Sequence, residues 1–313
     1  LRILSSTGGN RGQKNRRGAI YTRCLQRRAA FLDRFYAAVD KLTGIATLLF
    51  FSHHYQKDRT MKKMILAAAL IAAVTGSRAY AEDGGAVAQP DNASSFNAAV
   101  VSDYRYRGIS QTRLQPAVQG GFDYVNNPTG LYAGVWLSTI KWTKDAGGDG
   151  DVEMDIYAGK RGQVSESVTY DVGVLTYVYP SNGLNNVSGF VNADTTEIYG
   201  QLAYGPAYIK YSHAVTNLFG FVDSKNSGYL DIGVNLDAGD GYTVNLHAGR
   251  QEVKHNDAAS YTDWKIGATR DFGVVTGALA VIGTNAGKTA YASPANGKFL
   301  GKAALQLTIS KVF

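Results

Sequence analysis

The chain has 313 residues, 32 Lys+Arg against 25 Asp+Glu, and a single cysteine, Cys24. The positive excess sits at the front: residues 1–60 carry a net +9, residues 61–81 a net +3, and residues 82–313 a net −5. A basic balance of that origin gives the body of the chain no nucleic-acid surface, and a body free of thiols excludes a disulfide framework or a cysteine-based metal site.

Residues 1–60 are Arg-rich, and their longest apolar stretch, Ile45 to Phe51, is too short to cross a bilayer. From Met61 the pattern changes to that of an export signal: Lys62 and Lys63, an apolar run from Met64 to Val74, and a small-x-small cleavage site at Ala79-Tyr80-Ala81. Export signals sit at N-termini, so residues 1–60 read as a disordered upstream extension arising from a misassigned start, and residues 61–81 as a cleavable signal peptide. Residues 82–95 follow as a short periplasmic segment.

The remainder, residues 96–313, is rich in Gly, Tyr and Thr and shows alternation of apolar and polar residues rather than helical periodicity. About twelve alternating stretches are predicted, centred on Phe96 to Tyr106, Ala117 to Val125, Leu131 to Thr139, Val152 to Arg161, Val168 to Tyr179, Thr196 to Tyr204, Ala207 to Val215, Tyr229 to Leu236, Tyr242 to Arg250, Tyr261 to Thr269, Val274 to Ile282 and Lys302 to Phe313. In the last, Ala303, Leu305, Leu307, Ile309 and Phe313 share one face while Lys302, Gln306, Thr308 and Ser310 share the other. Lys311 interrupts the apolar face, which its long side chain tolerates near an interface.

Connections alternate in length. Short turns such as Asn126 to Gly130, Gly205-Pro206 and Arg270 to Gly273 take turns with longer polar stretches such as Ile140 to Asp151, Pro180 to Thr195 and Gly283 to Gly301. Arg107 to Pro116 is the shortest connection on the long side. Short periplasmic turns opposite long extracellular loops, an even strand count and an apolar face on each strand predict an all-β fold: an antiparallel, transmembrane, up-and-down barrel of about 12 strands in the bacterial outer membrane. Tyr104, Tyr106, Tyr124, Trp136, Tyr179, Tyr204, Tyr211, Tyr242 and Trp264 fall near strand ends and are read as interfacial rings, against the plainer reading of tyrosine's β-propensity.

The stretch Phe96-Asn97-Ala98-Ala99-Val100-Val101-Ser102-Asp103-Tyr104-Arg105-Tyr106-Arg107-Gly108-Ile109-Ser110-Gln111, with Pro116 to Tyr124 and Gly130 to Trp136, resembles the family of TorF-type porins, conserved outer-membrane proteins of Gram-negative bacteria. Glu153 to Gly159, Tyr179-Pro180 and Glu197 to Tyr199 extend the likeness; beyond about Ser212 it is one of pattern, and Thr139 and Lys160 depart from the usual residues. The resemblance implies an outer-membrane barrel but supplies no solute. By the same kind of resemblance, a terminal phenylalanine on an amphipathic strand makes Phe313 the signal read by the barrel-assembly machinery.

With the apolar rows facing lipid, the opposite positions face the lumen: Asp103, Arg105, Arg107, Asp123, Glu153, Asp155, Arg161, Asp171, Glu197, Lys210, Asp231, Asp263, Lys265 and Lys302. Inward charges must be hydrated or paired, so this set implies either a water-filled channel or an interior ion-pair network. The reading adopted is a narrow pore for passive diffusion of small hydrophilic solutes or ions, mildly cation-preferring, with Arg105, Arg107, Asp103 and Glu153 as constriction or, equally, as a structural network.

No enzyme, cofactor or metal site is read. His213, His247 and His255 have no recognisable ligand or nucleophile spacing, and each is taken as a lumen or loop residue. Gly283 to Thr289 has one residue too few between its glycines for a phosphate loop. Asp145, Asp149 and Asp151 lack the closing glutamate of a calcium loop. The alternatives are a plugged structural or adhesive barrel, an outer-membrane barrel enzyme built from loop residues, and a soluble periplasmic sandwich. Expected partners are lipid, the assembly machinery and small solutes, with no nucleic acid; no oligomeric state follows.

Overall fold

The computed structural model describes residues 90–313. The upstream extension, the signal peptide and most of the 82–95 segment expected from the sequence lie outside the described residues.

In chain order the strands are β1 (Asn92–Val101), β2 (Arg105–Tyr106), β3 (Ile109–Ser110), β4 (Ala117–Asn126), β5 (Leu131–Thr139), β6 (Val152–Ser165), β7 (Val168–Val178), β8 (Thr195–Tyr204), β9 (Ala207–Ala214), β10 (Gly228–Gly239), β11 (Tyr242–Glu252), β12 (Tyr261–Asp271), β13 (Thr276–Thr284) and β14 (Ala304–Val312). Twelve of them form a closed antiparallel barrel in which each strand pairs with its chain neighbours. Only β2 and β3 stand apart, as a two-stranded hairpin.

Closure occurs between β1 and β14, with Asn97 opposite Val312 and Val101 opposite Thr308. Beyond the ladder, Phe96 and Phe313 exchange backbone bonds of 3.2 and 2.7 Å, so the terminal residue completes the seam. No barrel strand is left as an edge, which removes the unpaired row of N–H and C=O groups that an open sheet would present.

The period-two alternation is realised with inside and outside exchanged relative to a water-soluble protein. Ile156, Val172, Ile198, Leu202, Ile232, Ile266 and Leu305 point outward and are exposed, whereas Glu153, Glu197 and Asp263 are among the most deeply buried side chains. A water-soluble protein buries the first set and exposes the second.

The packed apolar residues sit at the long-loop end of the barrel. There the loops condense into three clusters, around Tyr104, Ile140, Tyr177, Tyr179 and Leu184, around Ile109, Tyr261 and Leu300, and around Leu218, Val253 and Ala259. One short helix, α1 (Trp142–Asp145), joins the first of them.

Three expectations are corrected. The first strand does not run on to Tyr106: it begins at Asn92, where Tyr124 donates to Asn92 Oδ1 at 2.7 Å, and leaves the wall after Val101. Of the rings expected at the interface, Tyr124, Tyr204, Tyr211 and Trp264 are exposed on the outside and Tyr242 stands on the same outer row as Leu246, covered by Arg270, but Tyr104, Tyr106, Trp136 and Tyr179 are turned inward, where their hydroxyls and edges find partners. His213 alternates outward beside Tyr211 rather than toward the lumen, their rings 6.3 Å apart.

Candidate functional site

Between Val101 and Ala117 the chain folds into the barrel. Tyr106 and Ile109 pair across a two-residue turn made by Arg107 and Gly108, both at positive φ (46° and 80°). Two central residues with φ > 0 define a type I′ turn, the form that matches strand twist. At Gly108 a Cβ would lie 2.5 Å from Thr284 Cγ2 and 2.8 Å from Asp263 Cβ, so the tip abuts the wall at β12 and β13 and only glycine fits.

The hairpin is also tied to the wall across the lumen, at β8 and β11. Arg107 donates from Nη1 to Glu197 Oε1 at 3.0 Å and to Gln251 Oε1 at 2.7 Å, and from Nη2 to Glu197 Oε2 at 2.7 Å. Its guanidinium also lies 4.1 Å from the Tyr229 ring centroid and 4.8 Å from that of Tyr106. Side-chain exposure in the Arg107–Glu197 pair is 6% and 2%. This fork-to-carboxylate geometry is the form in which a desolvated ion pair holds position.

At the hairpin base Arg105 donates to Asp103 Oδ2 at 2.6 Å, to Gly108 O at 3.0 Å and to Lys302 O at 2.8 Å. Asp103 also accepts from Ser110 Oγ at 2.5 Å and from Thr112 Oγ1 at 3.2 Å. Tyr106 meets Tyr177 hydroxyl to hydroxyl at 2.6 Å, and Tyr104 donates to Glu153 Oε1 at 2.6 Å.

Below the hairpin lies a polar chamber of about 390 Å³ whose walls carry Arg105, Arg107, Asp155, Lys210, Asp231, His247, Asp263 and Lys265. Above it lies a second, apolar cavity of about 170 Å³ among the outer loops. Tyr106 faces both, so the hairpin is the partition between them.

Of the positions selected from the sequence, Asp123, Glu153, Asp155, Arg161, Asp171, Glu197, Lys210, Asp231, Asp263 and Lys265 stand on the inner side of the wall, with Arg161 at the short-turn end. Asp103, Arg105 and Arg107 are inside the barrel but on the hairpin and its base, not on a strand of the wall. Lys302 is a correction: the β13–β14 ladder starts with Ile282 opposite Ala304, so Lys302 precedes the strand, is exposed, and contributes only its carbonyl. Of the expected cluster, Arg105 meets Asp103, but Arg107 is taken by Glu197 and Gln251, and Glu153 is held by Tyr104 rather than by either arginine.

Tyrosines absent from the sequence reading supply most of the remaining pairing. Tyr157 donates to Asp123 Oδ1 at 2.5 Å, Tyr229 to Asp263 Oδ1 at 2.9 Å, and Tyr132 to Asp171 Oδ1 at 2.5 Å while also meeting the Tyr199 hydroxyl. Lys210 lies 4.0 Å from the Tyr199 ring centroid. The interior charges therefore form a belt of tyrosine–carboxylate bonds alongside two buried arginine–carboxylate pairs, Arg105–Asp103 and Arg107–Glu197. Arg105 Nη2 and Asp155 Oδ1 are buried with no hydrogen-bond partner among the described residues.

His247 is clamped between two carboxylates, Nδ1 at 2.8 Å from Asp231 and Nε2 at 2.7 Å from Asp263. With both nitrogens engaged, the imidazole has no free lone pair to activate a nucleophile. His255, exposed in a loop, bonds the Asp223 carbonyl at 2.9 Å. In the aspartate-bearing loop, Asp145 is forked by Arg113, and Asp149 is held below the usual carboxylate range by the Gly150 backbone N–H and then Lys144.

A family model described as "Bacterial protein of unknown function (Gcw_chp)" matches residues 86–313. Among solved structures, the chain is similar to the KdgM porin in complex with disordered oligogalacturonate (4% identity, TM-score 0.42, covering 71% of this chain and 98% of that one). It is also similar to the NanC porin (12% identity, TM-score 0.43, covering 70% and 98%). No curated protein matches the sequence significantly.

Proposed function

The chain belongs to the Gcw_chp family of bacterial proteins of unknown function, and on that footing we propose that it is a porin-like outer-membrane channel for small hydrophilic solutes, narrowed by the inward hairpin. The observation that carries this reading is the charged chamber of about 390 Å³ inside a closed barrel with an apolar exterior. A hydrated solute passing through it also meets Arg105 Nη2 and Asp155 Oδ1, two buried polar atoms without a hydrogen-bond partner among the described residues. The TorF-type resemblance agrees with this reading, as do the export signal at residues 61–81 and a terminal Phe313 that would be read by the assembly machinery.

One observation favours the plugged alternative: the hairpin tip reaches the far wall and is latched by a desolvated ion pair. Conductance separates the two. Purified protein in planar bilayers is expected to give small, ohmic single-channel steps with weak cation preference, because the interior carries both signs and most acids are already engaged. Strict anion selectivity contradicts the charge assignment. Absence of any step, together with exclusion of small sugars in liposome swelling, replaces the channel by the plugged barrel.

A further inference from the structure

We infer that the chamber beneath the hairpin holds a small dicarboxylate solute between Lys210 and Lys265. This names a solute class for the channel proposed above and rests on that reading for the solute's route in.

Nearly every charge around the chamber is already matched. Arg105 is held by Asp103 at 2.6 Å and Arg107 by Glu197 at 2.7 Å, while Asp231 and Asp263 clamp His247 from its two sides at 2.8 and 2.7 Å. Two lysines are left over. Lys265 has no hydrogen bond or ion pair among the described residues, and Lys210 reaches only the Tyr199 ring, 4.0 Å from its centroid. Asp231 faces Lys210 across the β9–β10 ladder yet bonds His247 instead. Asp155, the remaining carboxylate, stands on β6, six strands from Lys265 in a wall of twelve, and its Oδ1 is buried.

An ammonium carries three donors and no acceptor, so two uncommitted ones beside a polar space call for acceptors, and anionic oxygens make the strongest such bonds. The spacing selects two anionic groups rather than one. The strands β9 and β12 are three spacings apart, about 14 Å around the wall, and Lys265 stands one inward position nearer the short turns than the level of Lys210. Flexible stems reaching in from those backbones leave a gap that a short chain with a carboxylate at each end spans, whereas a monovalent ion meets one lysine at a time. A volume of about 390 Å³ takes such a solute with part of its water. Over the whole lumen the acids outnumber the bases, which sets the preference of small passing ions; at this level of the wall the uncommitted charge is positive.

The full chain in lipid nanodiscs is titrated with succinate near neutral pH by calorimetry, with succinamide, its uncharged diamide, as the matched control and empty nanodiscs as the blank. One saturable site per chain is expected for succinate and none for succinamide. Lys210→Gln and Lys265→Gln are each expected to weaken binding about tenfold or more, the double variant to abolish it, and Lys265→Arg to keep most of it. Neither lysine holds a structural carboxylate, so heat-modifiable gel migration is expected to show every variant folded. Lys302→Gln, whose side chain is exposed outside the chamber, is expected to leave the affinity unchanged. Absence of saturable succinate binding, equal binding of succinamide, or wild-type affinity in the double variant overturns the assignment. Current is read separately: channel steps without succinate binding sink the site and leave the channel, and succinate binding without steps sinks the channel and leaves the site.

Discussion

Arg107→Ala is expected both to enlarge the single-channel conductance several-fold and to destabilise the barrel by about 3–5 kcal/mol, the usual cost of leaving one partner of a buried ion pair uncompensated. Glu197 is the group left behind, 2% exposed and without the fork that now takes both its oxygens. The same substitution removes the bond to Gln251 and the stacking on Tyr229, so the hairpin tip loses its hold on the far wall. Its base stays tied through Asp103, Ser110 and the Lys302 carbonyl, which makes the change a swing of the tip rather than loss of the whole loop. The double variant Arg107→Met with Glu197→Leu is expected to recover most of the stability, because apolar replacement of both partners removes the stranded charge. Urea unfolding in lipid vesicles reads the stability, and planar-bilayer recording reads the conductance. A double variant as unstable as the single one would assign the loss to packing and not to the ion pair.

Ile266→Lys is expected to cost about 2–4 kcal/mol in a bilayer, the penalty for a cation on the lipid face near the midplane. Ile266 lies at the middle of β12 and is 58% exposed on the isolated barrel. On a surface bathed in water, a substitution at so open a position changes stability by about 0.5 kcal/mol or less. Thr262→Lys, one turn of alternation from the strand end on the same outer row, is expected to cost only about 0–1 kcal/mol because its charge reaches the interface. The depth dependence is the signature: equal and small costs at both positions would mean that the outer row faces water.

The barrel was legible because its code is local. In β14 and β6 the two faces separate by simple alternation, and most strand bounds agree with the periodicity to within a few residues. The hairpin was not legible, since Tyr104-Arg105-Tyr106-Arg107 continues a period of two whether the segment lies in the wall or turns into the lumen. The cue was present in Arg107-Gly108, a two-residue turn between Tyr106 and Ile109. The tyrosine belt stayed hidden for a different reason. Tyr157 meets Asp123, and Tyr132 meets Asp171, across strands whose register only the closed barrel fixes. The same ring that packs at a lipid interface also satisfies a buried carboxylate, so composition could not separate Tyr204 outside from Tyr132 inside.

A membrane-spanning barrel requires that the outward rows of Ile, Leu and Val meet lipid. Fractionation of cell envelopes measures this directly. The protein is expected to stay with the outer membrane through washes with carbonate and urea, and to be released only by detergent. Recovery of the folded chain from the aqueous wash, as a stable species needing no detergent, would contradict it.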